Sequence, residues 1–245
     1  MMLSTRCFKP LNILLLAVAS FGMAGCCRPG SPDRFECTNR PVYALNKAAD
    51  RVAFKPIARV YEALVPRPLK TMVSNFFQNL GELPSAGNDL LQGNFSGMRT
   101  DLSRFVINTT WGVGGLFDWA SLVGPVARKQ DFGLTLAAWG YKDSSYLVLP
   151  FFGPSTVRDG VGRIGTYSMG ITSHLHSVRL RNELLALNYL SIRASLLKLD
   201  SALKDSVDEY IFVREAYLQH RQAEIEGKGT TTSSTPFVPL DGPPE

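Results

Sequence analysis

Residues 98–112, Met-Arg-Thr-Asp-Leu-Ser-Arg-Phe-Val-Ile-Asn-Thr-Thr-Trp-Gly, carry the clearest periodic pattern in the chain. Side chains with apolar surface recur in this stretch at intervals of three and four residues: Met98, Leu102, Phe105, Val106 and Thr109. That spacing places them on one face of an α-helix, and glycine, here Gly112, is typical of a helix end. The stretch therefore predicts a helix, and similar patterns on both sides of it predict a mostly α protein.

Three helical segments are predicted on the N-terminal side of this stretch. Apolar residues follow helical spacing from Val42 to Ala53, and Pro56 is expected to break that helix. The pattern then predicts a helix over residues 69–80 and a shorter one over 84–92, each followed by a glycine.

The C-terminal third is predicted to be helical again. Residues 184–199 are rich in leucine and give a broad apolar face. Ser206 and Glu209 match a capping box, in which the serine accepts from a backbone amide and the glutamate reaches back to the cap. A helix is therefore expected from Ser206 to about Glu226, with Gly227 ending it.

The middle of the chain, residues 111–165, has many glycines and aromatic residues and little periodicity. Tyr146–Pro150 is consistent with a short extended segment, and Phe151–Pro154 with a turn. This region is predicted to be irregular and not a regular sheet.

The N-terminus has the order of a bacterial secretion signal. Two basic residues, Arg6 and Lys9, precede an apolar run that is too short to span a membrane, and Met23-Ala24-Gly25 leads into Cys26. This ending resembles a lipobox, so residues 1–25 are interpreted as a lipoprotein signal peptide and Cys26 as the lipidated residue. The alternative is an ordinary signal peptide with a chance cysteine.

The rest of the chain is divided into three parts. Residues 26–32 are interpreted as a lipidated linker, 33–226 as a single domain and 227–245, rich in Thr, Ser and Pro, as a disordered tail. Cys27, and not Asp, follows Cys26, which favours transfer to the outer membrane. Cys27 and Cys37 would share an oxidising compartment, and whether they form a disulfide stays open.

Composition indicates a membrane-associated protein. Aromatic residues make up 10% of the chain and charged residues 19%, below the quarter that is usual in soluble domains. No stretch after the signal is long and apolar enough for a simple spanning helix. The net charge of +5 falls to +3 without Arg6 and Lys9, and no basic run with interleaved aromatics indicates a nucleic-acid partner.

The search for catalytic chemistry finds no convincing motif. Ser155 lies in Gly-Pro-Ser-Thr-Val, which lacks the second glycine of a nucleophile elbow. His174 and His176 have no cluster of Cys or carboxylates to complete a metal site, and Gly112-Val-Gly-Gly lacks the third glycine of a dinucleotide fingerprint. We therefore expect no enzyme activity, no metal and no cofactor.

Ordered motifs from Asp33 to Tyr217 resemble those of the MlaA/VacJ lipoproteins. The motifs, in chain order, are Asp33–Arg40 (DRFECTNR), Tyr61–Pro68, Asn75–Pro84 (NFFQNLGELP), Asn88–Gly93, Arg104–Gly112, Gly115–Asp118, Asp131–Leu136, Trp139–Gly140, Tyr146–Pro150, Gly153–Ser155, Arg158–Asp159 and Tyr210–Tyr217 (YIFVREAY). Cys37 and Thr38 depart from the Gly-Phe of the family's first motif. The number and order of these motifs make the resemblance far more specific than any one of them.

The resemblance implies a ring-like helical body in the inner leaflet of the outer membrane, lipid-anchored on the periplasmic face. It implies a channel that takes phospholipids from the outer leaflet and passes them to a soluble periplasmic carrier. A trimeric outer-membrane porin is the expected neighbour.

The glycine- and aromatic-rich middle segment is the predicted channel lining, because irregular backbone at membrane depth is tolerated where it lines a cavity. Lys142 and Arg158 are expected to flank the lipid path, since cationic side chains attract phosphate. The full set of lipid-path candidates is Trp111, Gly112, Gly115, Trp139, Lys142, Tyr146, Pro150, Gly153 and Arg158.

Two other functions compete with transport. A scaffolding lipoprotein would organise porins without moving lipid, and a lipid hydrolase would release lysophospholipid or fatty acid. The missing nucleophile elbow disfavours the hydrolase.

Overall fold

A computed structural model describes residues 33–124 and 127–227 and is mostly helical, as the sequence predicts. Within these ranges no helix combines the length and the apolar composition that crossing a bilayer requires. The predicted signal peptide, Cys26, Cys27 and the tail beyond Gly227 lie outside the described residues.

The described residues form ten α-helices and one two-stranded antiparallel hairpin. The helices are α1 (Glu36–Ala49), α2 (Lys55–Leu64), α3 (Arg67–Leu91), α4 (Phe95–Thr110), α5 (Ala120–Val123), α6 (Phe132–Ala138), α7 (Val157–Met169), α8 (Val178–Ser195), α9 (Asp200–Asp205) and α10 (Glu209–Ile225). The strands are β1 (Tyr146–Leu149) and β2 (Gly153–Thr156), with Tyr146 opposite Thr156 and Leu149 opposite Gly153.

Helix α3 is the centre of the fold and packs against α4, α6, α7 and α8. Its buried residues are small or polar, which lets several helices approach it closely: Asn79, Glu82, Pro84, Ser85, Ala86, Asn88 and Asp89. Asn88, for example, accepts a hydrogen bond from Thr135 of α6 (2.9 Å). Helix contacts at the centre are therefore made through hydrogen bonds as well as apolar packing.

The prediction of two helices between residues 69 and 92 is wrong. The chain forms the single helix α3, which runs through Gly81 and Pro84. A proline inside a helix removes one backbone hydrogen bond and crowds the carbonyl four residues earlier. Packing on four neighbouring helices offsets that cost.

Pro56 does not stop the helical path as predicted. Helix α1 continues into a π-helical turn, Asp50–Phe54, and α2 begins directly after it. Pro56 lies in the first turn of α2, where its missing N–H has no intrahelical partner to lose.

The middle of the chain is more regular than predicted. It contains α6, the β hairpin and most of α7, although the extended segment from Tyr146 is confirmed as β1. Asp131 is the N-cap of α6, where its side chain accepts from the amide of Leu134. Thr156 is the N-cap of α7, where its side chain accepts from the amide of Asp159. These two caps were not recognised in the sequence.

The predicted capping box at Ser206 is wrong. Asp208 is the N-cap of α10 and accepts from the amides of Tyr210 and Ile211. The Ser206 hydroxyl instead donates to the carbonyl of Leu203 at the end of α9 (2.7 Å). An aspartate two residues later thus caps in its place, and its charge favours the helix N-terminus.

Candidate functional site

Few of the large apolar side chains in this protein are fully buried. Among the described residues, 33 large hydrophobic residues are exposed and only nine hydrophobic residues are buried, five of them alanine. Seventeen polar or charged residues are buried. Soluble domains bury most of their large apolar residues, so this surface is suited to an apolar environment.

The exposed apolar residues form stripes along three helices. Within each stripe the residues recur at three-, four- or seven-residue intervals, which places them on one helix face. The stripes consist of Ile57, Val60 and Leu64 on α2, Phe95, Leu102 and Val106 on α4, and Val157, Val161 and Ile164 on α7.

All three tryptophans of the chain lie on this apolar surface. The exposed fractions are 69% for Trp111, 46% for Trp119 and 58% for Trp139. The indole N–H of Trp139 donates to the carbonyl of Leu91 (3.1 Å). Exposed indoles are typical of membrane–water interfaces, where the ring contacts apolar groups and the N–H has a polar partner.

A first buried ionic cluster joins α3 and α4 to the segment before α5. The Nε of Arg104, a residue only 2% exposed, donates to Glu82 (2.9 Å), and its Nη2 donates to Asp118 (3.2 Å). Asn108 donates to Asp118 (3.0 Å) and accepts from the amide of Ala120 (2.9 Å). Burial raises the pKa of Glu82 above its usual range, against the opposing effect of Arg104.

A second buried ionic cluster joins α6, α7 and α10. Arg221 of α10 donates to both Asp159 (2.8 Å) and Asp131 (2.8 Å), while Tyr217 donates to Asp159 (2.8 Å). Burial acts to raise the pKa of Asp159, but the hydrogen bonds from Arg221 and Arg158 outweigh it and hold this pKa well below its usual range. Asp159 is therefore charged at neutral pH.

The β hairpin is fixed to the N-terminal part of the chain by Asn39, which is fully buried on α1. Its amide nitrogen donates to the carbonyl of Tyr146 (3.2 Å), and its oxygen accepts from the amide of Val148 (2.8 Å). Asp33 accepts from the same amide group and from the Tyr210 hydroxyl. These bonds hold Tyr146, Val148 and Tyr210 together as a small apolar cluster.

The tip of the hairpin is held by Asn46, which lies on α1 two helical turns beyond Asn39. Asn46 donates to the carbonyl of Leu149 (2.9 Å) and accepts from the amide of Phe151 (2.7 Å). Phe151 has φ of 63°, a left-handed conformation that is costly for a bulky residue. The tip therefore exposes Phe151 and Phe152 in a geometry that the Asn46 side chain stabilises.

Two cavities of different character lie next to these elements. The first, about 150 Å³, lies between α3, α7 and α8 and has mainly apolar walls that include Phe77, Leu80, Tyr167, Ile171 and Leu185. The second, about 350 Å³, lies between α10, the start of α7 and the segment before β1. Most of its lining residues are polar or charged, among them Lys142, Asp143, Arg158, Gln219 and Gln222, and we call it the polar cavity.

The structure brings together two of the predicted lipid-path residues, since Lys142 and Arg158 both line the polar cavity. Lys142 is exposed. Arg158 is buried and donates to the carbonyl of Lys142 (2.8 Å) and to Asp159 (2.9 Å). Arg158 therefore fixes the cavity wall, and Lys142 is the cation that is accessible.

The other seven predicted residues do not line either cavity. Trp111, Gly112 and Gly115 form the turn after α4, Trp139 follows α6, and Tyr146, Pro150 and Gly153 belong to the hairpin. A side chain at Gly115 would come within 2.6 Å of Asn79, and Gly115 has φ of 89°, so close packing and conformation both require glycine. Whether these seven contact lipid stays a prediction.

Several residues that hold the site together were not recognised from sequence. Asn39 and Glu82 lie within recognised motifs but have no local signal that separates them from solvated polar residues. Arg221 has no local sequence signal at all, because its partners Asp131 and Asp159 are 90 and 62 positions away in the chain.

No group of three or more potential metal ligands occurs in residues 33–124 and 127–227. His174 and His176, the two histidines considered in the sequence analysis, lie in and just after the short 3-10 turn that follows α7. The Nδ1 of His174 lies 3.0 Å from the carbonyl oxygen of Gly170.

Comparison with known proteins gives consistent relatives. The family described as "MlaA lipoprotein" matches residues 31–224. The "Intermembrane phospholipid transport system lipoprotein MlaA" of Escherichia coli (strain K12) is 33% identical over 89% of this chain and 90% of its own length. An uncharacterized protein of Rickettsia bellii is 34% identical over 79% of this chain and 77% of its own length.

A solved structure is also similar to this chain in sequence and in fold. It is described as "Structural basis for maintenance of bacterial outer membrane lipid asymmetry" and is 33% identical in sequence, with a TM-score of 0.69. The similarity covers 79% of this chain and 98% of the solved chain.

Proposed function

Because the chain belongs to the MlaA lipoprotein family, we propose that it removes mislocalised phospholipids from the outer leaflet of a bacterial outer membrane. It is anchored on the periplasmic face through lipid on Cys26 and passes phospholipid to a soluble periplasmic carrier. A trimeric porin lies beside it. The Escherichia coli relative is named as a lipoprotein of an intermembrane phospholipid transport system, which supports a role in phospholipid transport.

The observation that carries the proposal is the reversed distribution of apolar and polar side chains. Acyl chains would cover the apolar stripes on α2, α4 and α7, which in water would be costly to expose. In the buried clusters at Arg104 and Arg221, charged groups are paired with protein partners and not with water. A ring-like body lying in the inner leaflet accounts for both features.

The polar cavity is the proposed place where a headgroup is received. A phospholipid headgroup that passes an apolar layer needs polar partners, since an unpaired charge there is costly. Lys142 offers an accessible cation to phosphate, and Gln219 and Gln222 offer further hydrogen-bond donors. The apolar cavity between α3, α7 and α8 offers a wall for an acyl chain.

The test is to label surface-exposed phospholipid in a strain that lacks this protein. Transport predicts that phospholipid accumulates in the outer leaflet and that the wild-type gene restores the normal level. Normal lipid asymmetry with altered porin levels would instead favour scaffolding. Lysophospholipid or free fatty acid produced by the purified protein would favour a hydrolase.

A charge reversal tests the headgroup site in the same strain. We expect Lys142→Glu, made at normal protein level, to lose most of the complementation because the cavity then repels phosphate. Lys204→Glu on α9, also exposed, is the matched control and should complement fully. Equal complementation by both variants would remove Lys142 from the lipid path.

A further inference from the structure

Two buried carboxyl groups meet at the junction of α3 and α4 without a cation between them. Asp101 of α4 is fully buried. The Ser85 hydroxyl lies beside its carboxyl group but donates to the carbonyl of Arg128 (3.1 Å), so neither carboxylate oxygen of Asp101 has a hydrogen-bond partner among the described residues. Asp89 of α3 is also fully buried. Its Oδ1 accepts from Asn94 (2.9 Å), but its Oδ2 has no partner in the same part of the chain. Two buried charges of the same sign without donors are costly, so at least one of the two carboxyl groups must be neutral.

Asp101 follows Gly97 by four residues, which places both on the same face of α4. A Cβ at Gly97 would lie only 2.2 Å from Asp89 Oδ2, so this face of α4 is in close contact with Asp89 and the two buried carboxyl groups are neighbours. Two neighbouring buried carboxylates repel each other strongly when both are charged, and one proton shared between them removes the repulsion and supplies the missing donor.

The surrounding charges do not neutralise the pair. Arg104 on α4 faces Asp101, but its guanidinium donates to Glu82 and Asp118. Glu82 on α3 adds a further negative charge, and Arg128, in the exposed segment before α6, acts only on Asp89 and from a distance. Among the described residues, Arg104, Glu82 and Arg128 are therefore the charged side chains that bear most on the two carboxyl groups.

We propose that Asp101 is protonated in mildly acidic conditions and donates its proton to Asp89 Oδ2, so that the pair is a proton-dependent latch between α3 and α4 that releases as pH rises through neutrality. The latch closes the helical hairpin beside its turn, where Asn94 caps α4 and donates to Asp89. Loss of the proton leaves two charges in a closed space. The hairpin then loosens at the end that carries Asp89, while the Arg104 cluster still holds α3 to α4 further along.

The pH range of the latch is set by burial, which raises the pKa of Asp101 to about 7. This pKa is above that of an aspartate in an unfolded chain, so the folded state binds the extra proton. The contribution of Asp101 to the free energy of unfolding is therefore complete below the pKa of aspartate in an unfolded chain, about 3.9. It falls as pH rises and is lost above the pKa of Asp101 in the folded protein. Asp159, whose pKa is lowered, acts in a separate and more acidic range.

The direct test is infrared spectroscopy of the full chain in detergent micelles. At about pH 6, below the folded pKa, we expect the carbonyl band of a protonated carboxylic acid, which is absent from Asp101→Asn and fades as pH rises. Absence of this band from the wild-type protein would overturn the proposal. Because this measurement uses the wild-type protein, it decides the question even if a variant fails to fold.

Thermal unfolding from about pH 5 to about pH 9 gives the second measurement. In Asp101→Asn the side-chain amide can still donate to Asp89 but does not titrate. We therefore expect the Tm of the wild-type protein to fall as pH rises through this range and the Tm of Asp101→Asn not to show that fall. Asp143→Asn, an exposed acid, is the matched control and should keep that fall. The same pH dependence in both variants would overturn the proposal, and so would stabilisation of the wild type alone by Ca²⁺ without the infrared band, because the pair would then hold a cation.

Discussion

At the scale of single residues, buried arginines hold segments together that are far apart in the chain. Arg221 is the clearest case, because it joins α10 to Asp131 before α6 and to Asp159 on α7. The net contribution of such a buried pair to stability is small when both partners are present. Removing Arg221 is different, because Asp159 and Asp131 then share only Arg158, which contacts Asp159 alone, and one carboxylate charge is left without a cation.

We therefore predict that Arg221→Met lowers the free energy of unfolding by about 3–5 kcal/mol. The matched control is Arg179→Ala, which removes an arginine that is 87% exposed and paired with Glu183 one turn away. That pair is screened by solvent, so its loss should cost less than about 1 kcal/mol. Urea unfolding in the same detergent measures both variants, and equal losses would show that the Arg221 cluster does not support the fold.

At the scale of helices, close approach depends on glycine at particular crossings. Helix α7 passes over α6 at Gly162, where a Cβ would lie 2.4 Å from the backbone nitrogen of Gly133. Backbone atoms cannot move aside as a flexible side chain can. The α6–α7 contact, and with it the position of Arg158 beneath the polar cavity, therefore depends on this glycine.

Gly162→Ala is predicted to destabilise the protein by about 1–3 kcal/mol, because the helices must separate. Gly160→Ala on the same helix is the matched control, since its Cβ would make only ordinary contacts at 3.8 Å. Alanine is the better helix former, so this control should gain up to about 1 kcal/mol. Tm values for the two variants give the comparison, and a loss of stability in Gly160→Ala would contradict the explanation from close packing.

The elements also show what sequence reasoning reaches. The helical stripe from Met98 to Thr109 is confirmed as α4, because its periodicity depends on local spacing alone. The break predicted before Pro84 is wrong, because packing on four other helices overrides the local cost of a proline. Lys142 and Arg158, which line the polar cavity, were predicted as lipid-path residues, and their role stays a prediction. Gln219 and Gln222 were missed because they come from a helix that is distant in the sequence.

At the scale of the whole molecule, the exterior is the feature that needs an explanation. The stripes on α2, α4 and α7 and the exposed tryptophans together make an apolar surface around a polar interior. If this surface lies in one leaflet, as the proposed function requires, its indole groups contact acyl chains near the headgroup level.

Tryptophan fluorescence tests this placement, because the three tryptophans of the chain all lie on the exposed apolar surface. In vesicles whose phospholipids carry bromine on the acyl chains, we expect strong quenching of the emission relative to unbrominated vesicles. The aqueous quencher iodide should have little effect in either. A variant with Trp119→Phe and Trp139→Phe retains only Trp111, the most exposed of the three, and should show the largest fractional quenching by bromine. Strong quenching by iodide with none by bromine would mean that water, and not lipid, covers this surface.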